Sequence, residues 1–229
     1  MTKFFCENSP IHRPEQIIPF LGKGEKHWRQ GRSAYELAHS WMDADGIPPS
    51  ARGVLETRPE FSMPELLEGY FERKTEIPGR GGPSQTDLLA LCEANGVRFV
   101  LAVEGKVDET LGPLVSVWDN GTPNRQARLA GLVGLIGGNP ATVADLRYQL
   151  FHRSASALIE AKTFGVKRAT MLVHSFDPGH AWFEDFARFS RWVGAPCEEP
   201  NTISEPILCS GIEFYLGWCA DMPLARYPE

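Results

Sequence analysis

The chain has 229 residues, of which 42% are hydrophobic and 23% charged, and its formal net charge is -6 at pH 7. These proportions are typical of one soluble globular domain with a small N-terminal addition. The negative charge argues against a protein that coats nucleic acid by bulk attraction, so any phosphate site must be built locally. No apolar run reaches the roughly 18 to 20 residues that a membrane-spanning helix needs, and no secretory signal is evident. We therefore expect a cytoplasmic protein with no membrane association.

The cysteines indicate a reduced protein. The chain has five of them, Cys6, Cys92, Cys197, Cys209 and Cys219, and they form no CxxC pair. An odd number does not suit the disulfide framework of a small secreted domain. We therefore expect free thiols that are packed in the core.

The N-terminal third predicts an arm that is followed by helices. The prolines and glycines of residues 1–30 are typical of an arm lying over a domain. The segment 33–46 begins with the Ser-x-x-Glu pattern of a capping box and continues with helical spacing, and 49–57 suits a short helix. The Ser-Met-Pro-Glu start of 62–72 predicts another helix. A brief strand over 75–78 would follow.

The segment TDLLALCEANGVRFVLAVEGKVDE predicts a β-hairpin. Its Asn95-Gly96 pair suits a type I′ turn, because both central residues of that turn need a positive φ. A two-residue turn fixes the register of the two strands. Glu93 then faces Arg98, and this pair of opposite charges supports the alignment. Continuing the same register places Asp87 opposite Glu104.

The remaining segments predict helices and strands in alternation. Helical spacing covers 125–136 and 141–164, with a break at Gly-Gly-Asn-Pro between them. The apolar run RATMLVHSF predicts a buried strand, and 182–193 predicts a helix. The segment ILCSGIEFYLGWC predicts a closing pair of strands with a turn at Ser210-Gly211. Together these elements predict an α/β sandwich with a mixed sheet.

The facing acids of the hairpin need compensation. Asp87 and Glu104 would have Cβ atoms about 4.5 to 5.5 Å apart, where like charges destabilise a sheet. Lys106 lies two residues beyond Glu104 and points to the same side, while apolar neighbours indicate a hairpin covered on both faces. Paired carboxylates in such a place either share a proton or bind a divalent cation. The alternative is a solvated strand end at which Lys106 simply pairs with an acid.

This arrangement resembles the PD-(D/E)XK, or restriction-endonuclease-like, nuclease superfamily, in which an acid at the start of one strand is followed on the next strand by Glu-x-Lys. The matching residues are Asp87, Glu104, Gly105 and Lys106. The segments GGPSQTDLLAL, VEGKVDE and RYQLFHRSASALIEAK further resemble a bacterial branch of that superfamily. The resemblance implies an αβββαβ core, with a mixed sheet flanked by helices, in a domain over 62–229. Residues 1–61 would form an N-terminal helical extension packed on this core.

The resemblance also implies an activity. In that superfamily the two acids and the backbone carbonyl between acid and lysine bind Mg²⁺, and the lysine assists the attacking water. By resemblance, Asp87, Glu104 and the Gly105 carbonyl would bind Mg²⁺ or Mn²⁺, and Lys106 would position or activate the water. The expected protein is a Mg²⁺-dependent nuclease whose partner is nucleic acid, with DNA as the expected substrate. A homodimer is compatible with such an enzyme, although the sequence defines no dimer seam.

Two residues depart from the pattern of the superfamily. Thr86 stands where the family name has proline, and Arg153 stands where the exonuclease branch has a tyrosine. Gln149 is a further catalytic candidate, because some members use a polar residue on this helix. Glu72 or Glu76 could add a metal ligand, although a solvated acidic stripe is the favoured interpretation of these positions.

Other functions compete with the nuclease. A catalytically silent binding or regulatory protein of the same fold would suit the acidic net charge and the absence of a second recognition domain. The segment HSFDPGH lacks the spacing of an H-E-x-x-H helix, and its Pro178-Gly179 favours a turn. A local positive surface for phosphate contacts could come from a group of basic residues. This group consists of Arg125, Arg128, Arg147, Arg153, Lys167 and Arg168.

Overall fold

A computed structural model describes residues 3–22 and 24–224, and within them the chain forms one nine-stranded mixed sheet with helices on both faces. The strands are β1 Phe4–Cys6, β2 Ser9–Ile11, β3 Glu65–Thr75, β4 Ser84–Ala94, β5 Val97–Lys106, β6 Arg168–Ser175, β7 Thr202–Ile203, β8 Ile207–Cys209 and β9 Ile212–Ala220. The α-helices are α1 Ser33–Asp43, α2 Pro49–Leu55, α3 Val115–Trp118, α4 Pro123–Ile136, α5 Tyr148–Thr163 and α6 Phe183–Val193.

The order of the strands confirms the predicted α/β class with a mixed sheet. The order is β2-β1-β3-β4-β5-β6-β9-β7, and β8 pairs with β9. Strands β3, β4 and β5 are antiparallel, whereas β6 runs parallel to β5 and to β9. One apolar layer packs between the sheet and α4, α5 and α6, and a second packs between the sheet and α1, α2 and the N-terminal segment. The sheet is therefore covered on both faces.

The hairpin of β4 and β5 has the predicted turn and register. Asn95 and Gly96 have φ values of 51° and 73°, as a type I′ turn requires. Glu93 faces Arg98, and the ladder continues in the same register to its last pair, Leu88 and Val103. Asp87 and Glu104, the next residues of the two strands, therefore lie directly beyond the end of the ladder.

The predicted helix over 62–72 is wrong, because most of this segment belongs to strand β3. A β-bulge shifts the register between Leu66 and Glu68, so the apolar residues follow a spacing that imitates a helix. Tyr70 and Phe71 pack against the two opposite apolar layers, as side chains of a strand do. The brief strand predicted at 75–78 is also wrong, since β3 ends at its first residue.

Helix α5 begins later than predicted. The sequence predicts a helix over 141–164, whereas only Tyr148–Thr163 is α-helical. Arg147 is extended and bridges Leu114, and the Tyr148 N–H donates to the carbonyl of Pro113 at 2.9 Å. These contacts with the preceding loop prevent an earlier start. The other predicted helices and the strands β6, β8 and β9 are present within a few residues of the expected bounds.

The N-terminal segment does more than cover the domain. Strand β1 pairs in parallel with β3, and β2 pairs with β1, so this segment extends the sheet. The predicted capping box at Ser33 does not form, because Arg32 is the N-cap of α1 and Glu36 accepts from the Gly31 N–H at 2.6 Å instead. All five cysteines are free and buried, as expected for thiols packed in the core.

Candidate active site

The predicted site residues meet at the end of the central sheet. Glu104 and Lys106 lie on β5 and point to the same face as Ala102, which belongs to the apolar layer beneath α5. Asp87 lies near the start of β4, and its carboxylate also meets a side chain of α5. Gly105 faces the opposite layer, where a Cβ atom would lie 3.3 Å from the nearest atoms of Leu37 on α1. A small residue therefore lets α1 pack against β5 at this point.

Glu104 is held by three donors. Lys106 Nζ and Gln149 Nε2 donate to its Oε1 at 2.7 and 2.6 Å, and Arg153 Nε donates to its Oε2. The side chain is 3% exposed. Burial acts to raise the pKa of Glu104, but the charges of Arg153 and Lys106 outweigh burial and lower this pKa to about 2. Glu104 is therefore ionised at neutral pH.

Asp87 is linked to Glu104 through an arginine. One oxygen of Asp87 accepts from the Gly105 N–H at 2.9 Å, and the other lies 3.5 Å from Arg153 Nη2. Burial and the nearby charge of Glu104 raise the pKa of Asp87 to about 7. The Arg153 guanidinium thus bridges the two acids that the sequence predicts to face each other.

A third acid, Glu72, lies beside Asp87. The flanking pairs of β3 and β4 are Phe71 with Leu88 and Arg73 with Thr86, which places Glu72 level with Asp87. Its φ of 55° is rare for a residue other than glycine, and its carboxylate accepts from the amide of Gln85. Burial and the charge of Asp87 raise the pKa of Glu72 to about 8.

The sequence indicated Glu72 only as a possible additional ligand and favoured a solvated position for it, because one element was assigned wrongly. When 62–72 is assigned to a helix, Glu72 falls on a solvated stripe; an assignment to a strand paired with β4 would have placed it beside Asp87. Glu76, the other acid considered as an additional ligand, is exposed in the loop after β3. Glu72 therefore belongs to the site, and Glu76 does not.

Three polar side chains of α5, those of Gln149, His152 and Arg153, face the site. His152 Nδ1 lies 2.9 Å from Ser84 Oγ, and Arg153 Nη1 donates to the same hydroxyl oxygen at 3.0 Å. Burial and the charge of Arg153 lower the pKa of His152 to about 3, so its ring is neutral at physiological pH. Gln149, Arg153 and His152 therefore extend the site from the acids toward the loop that precedes β4.

The cations leave little room for a metal in the present arrangement. In the part of the chain that the structure describes, no group of three or more His, Cys, Asp or Glu side chains is arranged to hold a metal ion. Both oxygens of Glu104 already accept hydrogen bonds from Lys106, Gln149 and Arg153. A metal would have to replace the guanidinium between the acids.

The segment HSFDPGH lies outside this site. Asp177 accepts from the N–H groups of Gly179 and Ala181 at 3.0 and 2.7 Å, which confirms the predicted turn. His174 is fully buried, and its Nδ1 accepts from the indole N–H of Trp41 at 3.2 Å. The contacts of Asp177 and His174 are thus those of a turn and of the core.

The fold and the site define a mixed α/β protein with a cluster of acids and cations buried at the end of its central sheet. Residues 10–223 match DUF6946, a domain of unknown function, and the chain belongs to that family. Comparisons with curated proteins and with solved structures gave no match. None of the helices within 3–22 and 24–224 has the length and apolar character that crossing a membrane requires.

Proposed function

We propose that this protein is a Mg²⁺-dependent nuclease that hydrolyses phosphodiester bonds of DNA. The observation that carries the proposal is the gathering of Glu72, Asp87 and Glu104 around Lys106 and Arg153 in a largely buried site. Burial and mutual repulsion raise the pKa values of Glu72 and Asp87, so the two cations do not fully compensate the acids when all are ionised. Additional positive charge would stabilise this cluster.

The topology supports the proposal. Three antiparallel strands, β3 to β5, are followed by α3, α4 and α5 and then by β6, which runs parallel to β5. If α3 and α4 are taken as insertions, this sequence of elements supports the βββαβ order that the resemblance to restriction-endonuclease-like proteins implies. The resemblance also implies a helix before the first of these strands. The helix that the sequence predicts there does not form, so α1 or α2 would take that position.

The oxygen donors suit a hard dication such as Mg²⁺ or Mn²⁺. Asp87 and Glu104 would hold the metal together with the Gly105 carbonyl. The Gly105 N–H donates to Asp87 on β4, and the N–H and C=O of one strand residue point to the same edge of the strand, so the Gly105 carbonyl also points toward β4. Gln149 Oε1 is buried and has no hydrogen-bond partner among the described residues, so it could accept from a water at the site. When bound, Mg²⁺ would stabilise the charge that develops on the phosphate.

Lys106 is better suited to orient than to accept a proton. Burial acts to lower its pKa, but the charges of Glu104 and Asp87 outweigh burial and raise this pKa above its ordinary value. The ammonium group therefore stays charged and donates hydrogen bonds to an attacking water or to a phosphate oxygen. Arg153, once displaced from the acids, would remain beside Ser84, to which it already donates.

Titration calorimetry with Mg²⁺ and with Mn²⁺ tests the metal site. We expect the wild-type protein to bind and Asp87→Asn to lose binding. Asp108→Asn is a matched control, because Asp108 follows β5, the strand of Glu104, but is an exposed partner of Arg32. Wild-type protein that binds neither metal would contradict the proposal.

Cleavage assays test the reaction. Plasmid, single-stranded DNA and RNA should be incubated with wild-type protein in Mg²⁺ and in EDTA, and with Lys106→Met in Mg²⁺. The proposal expects cleavage of DNA that requires both the metal and Lys106. Cleavage that persists in Lys106→Met would point to a contaminating nuclease and count against the assignment.

One observation favours a second candidate, a catalytically silent binding or regulatory protein. The Arg153 guanidinium already lies between Asp87 and Glu104, where it partly compensates both acids without a metal. Such a protein would bind nucleic acid equally well in Mg²⁺ and in EDTA and would never cut it. Persistent binding without any cleavage in Mg²⁺ or Mn²⁺ would favour this alternative.

A further inference from the structure

A cleft of about 500 Å³ opens beside the acidic cluster, between the loop before β4, the segment around α3 and α4, and the start of α5. Four arginines contribute to its lining, and no aspartate or glutamate is among its lining residues. These arginines are Arg80, Arg125, Arg128 and Arg153. Arg153 also contacts Glu104, so the cleft and the acidic cluster are continuous. Such a concentration of positive charge is unexpected in a chain with a net charge of -6.

Neutral groups hold two of these arginines in place. Arg128 donates from Nε to the Tyr148 hydroxyl at 2.9 Å and from Nη2 to the Gly82 carbonyl at 2.7 Å. Arg125 donates to the Trp118 carbonyl and lies over the Trp118 ring, which stacks on Tyr148 with centroids 3.7 Å apart. Hydrogen bonds and stacking thus fix the guanidinium groups without neutralising them.

Arg80, Arg125 and Arg128 have no acidic partner within the described ranges. Arg125 and Arg128 are half-buried and Arg80 is exposed, whereas Arg153 is paired with Glu104 and Asp87. A guanidinium that is partly withdrawn from water and lacks an anion is well placed to bind one, and its planar donors match phosphate oxygens. The structure therefore leaves three arginines of the cleft available to a phosphate group.

The glycine-rich loop GRGG closes one side of the cleft. Gly79 has a φ of 84°, and a Cβ atom there would lie 2.6 Å from the Arg128 Cα. Gly81 has a φ of 138°, and its Cβ atom would lie 3.0 Å from Arg128 Nη1. Only glycine allows the loop to adopt this backbone and to pack so closely on α4. The sequence of the loop is thus required for the shape of the cleft.

We propose that this cleft binds one nucleotide of a single nucleic-acid strand, with its phosphate held by Arg80, Arg125 and Arg128. The inference rests on the proposed function, because it names the substrate of the adjoining acidic site. The cleft has the volume typical of a small-ligand site, which suits one nucleotide better than both strands of a duplex. Arg153 lines the cleft and also contacts the acidic cluster, so a neighbouring phosphate of the same strand would lie next to the acids.

Fluorescence anisotropy with a labelled oligothymidylate of about 12 nucleotides tests the inference, since this length lies within the roughly 4 to 16 nucleotides that single-strand sites span. Measurements in EDTA exclude metal-dependent cleavage. We expect the double variant Arg80→Gln/Arg125→Gln to bind about tenfold or more weakly than wild type, because each variant side chain loses a charge-assisted hydrogen bond. Arg188→Gln is the control, because Arg188 is exposed on α6 and does not line the cleft; it should bind within about twofold of wild type.

Salt dependence provides a second measurement. The slope of log affinity against log salt concentration should become shallower by about 0.7 for each phosphate contact that is removed from a single strand. Arg80→Gln alone should show this change, and it should keep the wild-type melting temperature because its side chain is exposed. An unchanged slope in Arg80→Gln and an unchanged affinity in the double variant would overturn the proposal. Equal binding of a blunt duplex of the same sequence would also overturn it.

The binding and cleavage experiments can support strand binding in the cleft and refute the nuclease, or the reverse. Binding in EDTA that depends on the cleft arginines, without cleavage in Mg²⁺, would leave this inference standing and refute the nuclease. Cleavage that depends on Lys106, with strand binding unchanged in Arg80→Gln/Arg125→Gln, would support the nuclease and refute this inference.

Discussion

Replacing Arg153 by methionine removes the cation that lies between Asp87 and Glu104, and the variant should be much less stable. The side chains of Arg153 and Glu104 are 9% and 3% exposed, so water screens their ion pair very little. Removing one partner of a buried pair costs about 3 to 5 kcal/mol, since the remaining charge loses its compensation. Lys106 still contacts Glu104, so we expect a loss near the lower end, about 3 kcal/mol.

Urea unfolding in EDTA at pH 7, followed by circular dichroism, measures this loss. A change of about 3 kcal/mol would also lower the melting temperature by about 6 to 12 °C in a chain of this size. Arg98→Met is the matched control, because Arg98 and its partner Glu93 are 63% and 40% exposed. Exposed pairs contribute at most about 1 kcal/mol, so the control should change little. If both variants lose the same free energy, our account of the buried pair is refuted.

The Arg153→Met variant also tests whether the two acids bind a metal once the ion pair is removed. Without the guanidinium, Asp87 and Glu104 are free to share a dication. A ligand at about 100 times its dissociation constant stabilises a protein by about 2.7 kcal/mol, so Mg²⁺ should recover most of the loss in Arg153→Met. Adding Asp87→Asn should abolish that recovery. Identical stability of Arg153→Met in Mg²⁺ and in EDTA would contradict a metal site formed by these acids.

Three further predictions concern stability. The pKa values of Asp87 and Glu72 rise on folding from 3.8 and 4.5 to about 7 and 8, so ionisation of these acids destabilises the wild type as pH rises. Urea unfolding should therefore show that Asp87→Asn gains stability relative to wild type between pH 5 and 8. A difference in the free energy of unfolding that stays constant over this pH range would refute the prediction. Gly69→Ala should cost about 1 to 3 kcal/mol, because its Cβ atom would lie 2.8 Å from the Phe4 ring. Gly96→Ala should cost about 1 kcal/mol in the same assay, from its φ of 73° alone, since nothing lies within 4 Å.

The hairpin could be predicted residue by residue because its determinants are local. The turn needs only the positive φ values of Asn95 and Gly96, and two residues of turn leave one register open. Glu93 and Arg98 lie close enough in sequence for their charges to check that register. The positions of Asp87 and Glu104 at the end of the ladder then follow by counting.

Strand β3 could not be predicted because its determinants are distant. The segment pairs with β4 on one side and with β1, about 60 residues earlier, on the other. The bulge at Leu66 hides the alternation of apolar and polar residues, and the Ser-x-Pro-Glu pattern before it is equally suited to a helix. Glu72 was not favoured as a site residue for the same reason, since only the pairing of β3 with β4 brings it beside Asp87.

The contact of Arg153 with both acids also could not be predicted from the sequence. Helical spacing shows that Gln149, His152 and Arg153 share one side of α5, but it cannot decide whether that side meets water or the sheet. The packing of α5 across β4 and β5 decides it, because this crossing brings the guanidinium to two acids on different strands. A side chain that departs from the pattern of the resembling nucleases thereby becomes the main compensating charge of the site.

Arg153 connects the two proposed binding events. A dication held by Asp87 and Glu104 and the guanidinium that now bridges them compete for the same oxygens. A phosphate in the adjoining cleft offers the displaced guanidinium a new partner, since Arg153 also lines that cleft. Each ligand then favours the arrangement that the other requires, and the coupling free energy is the same in both directions. Metal that tightens the binding of a strand must therefore itself be bound more tightly when the strand is present.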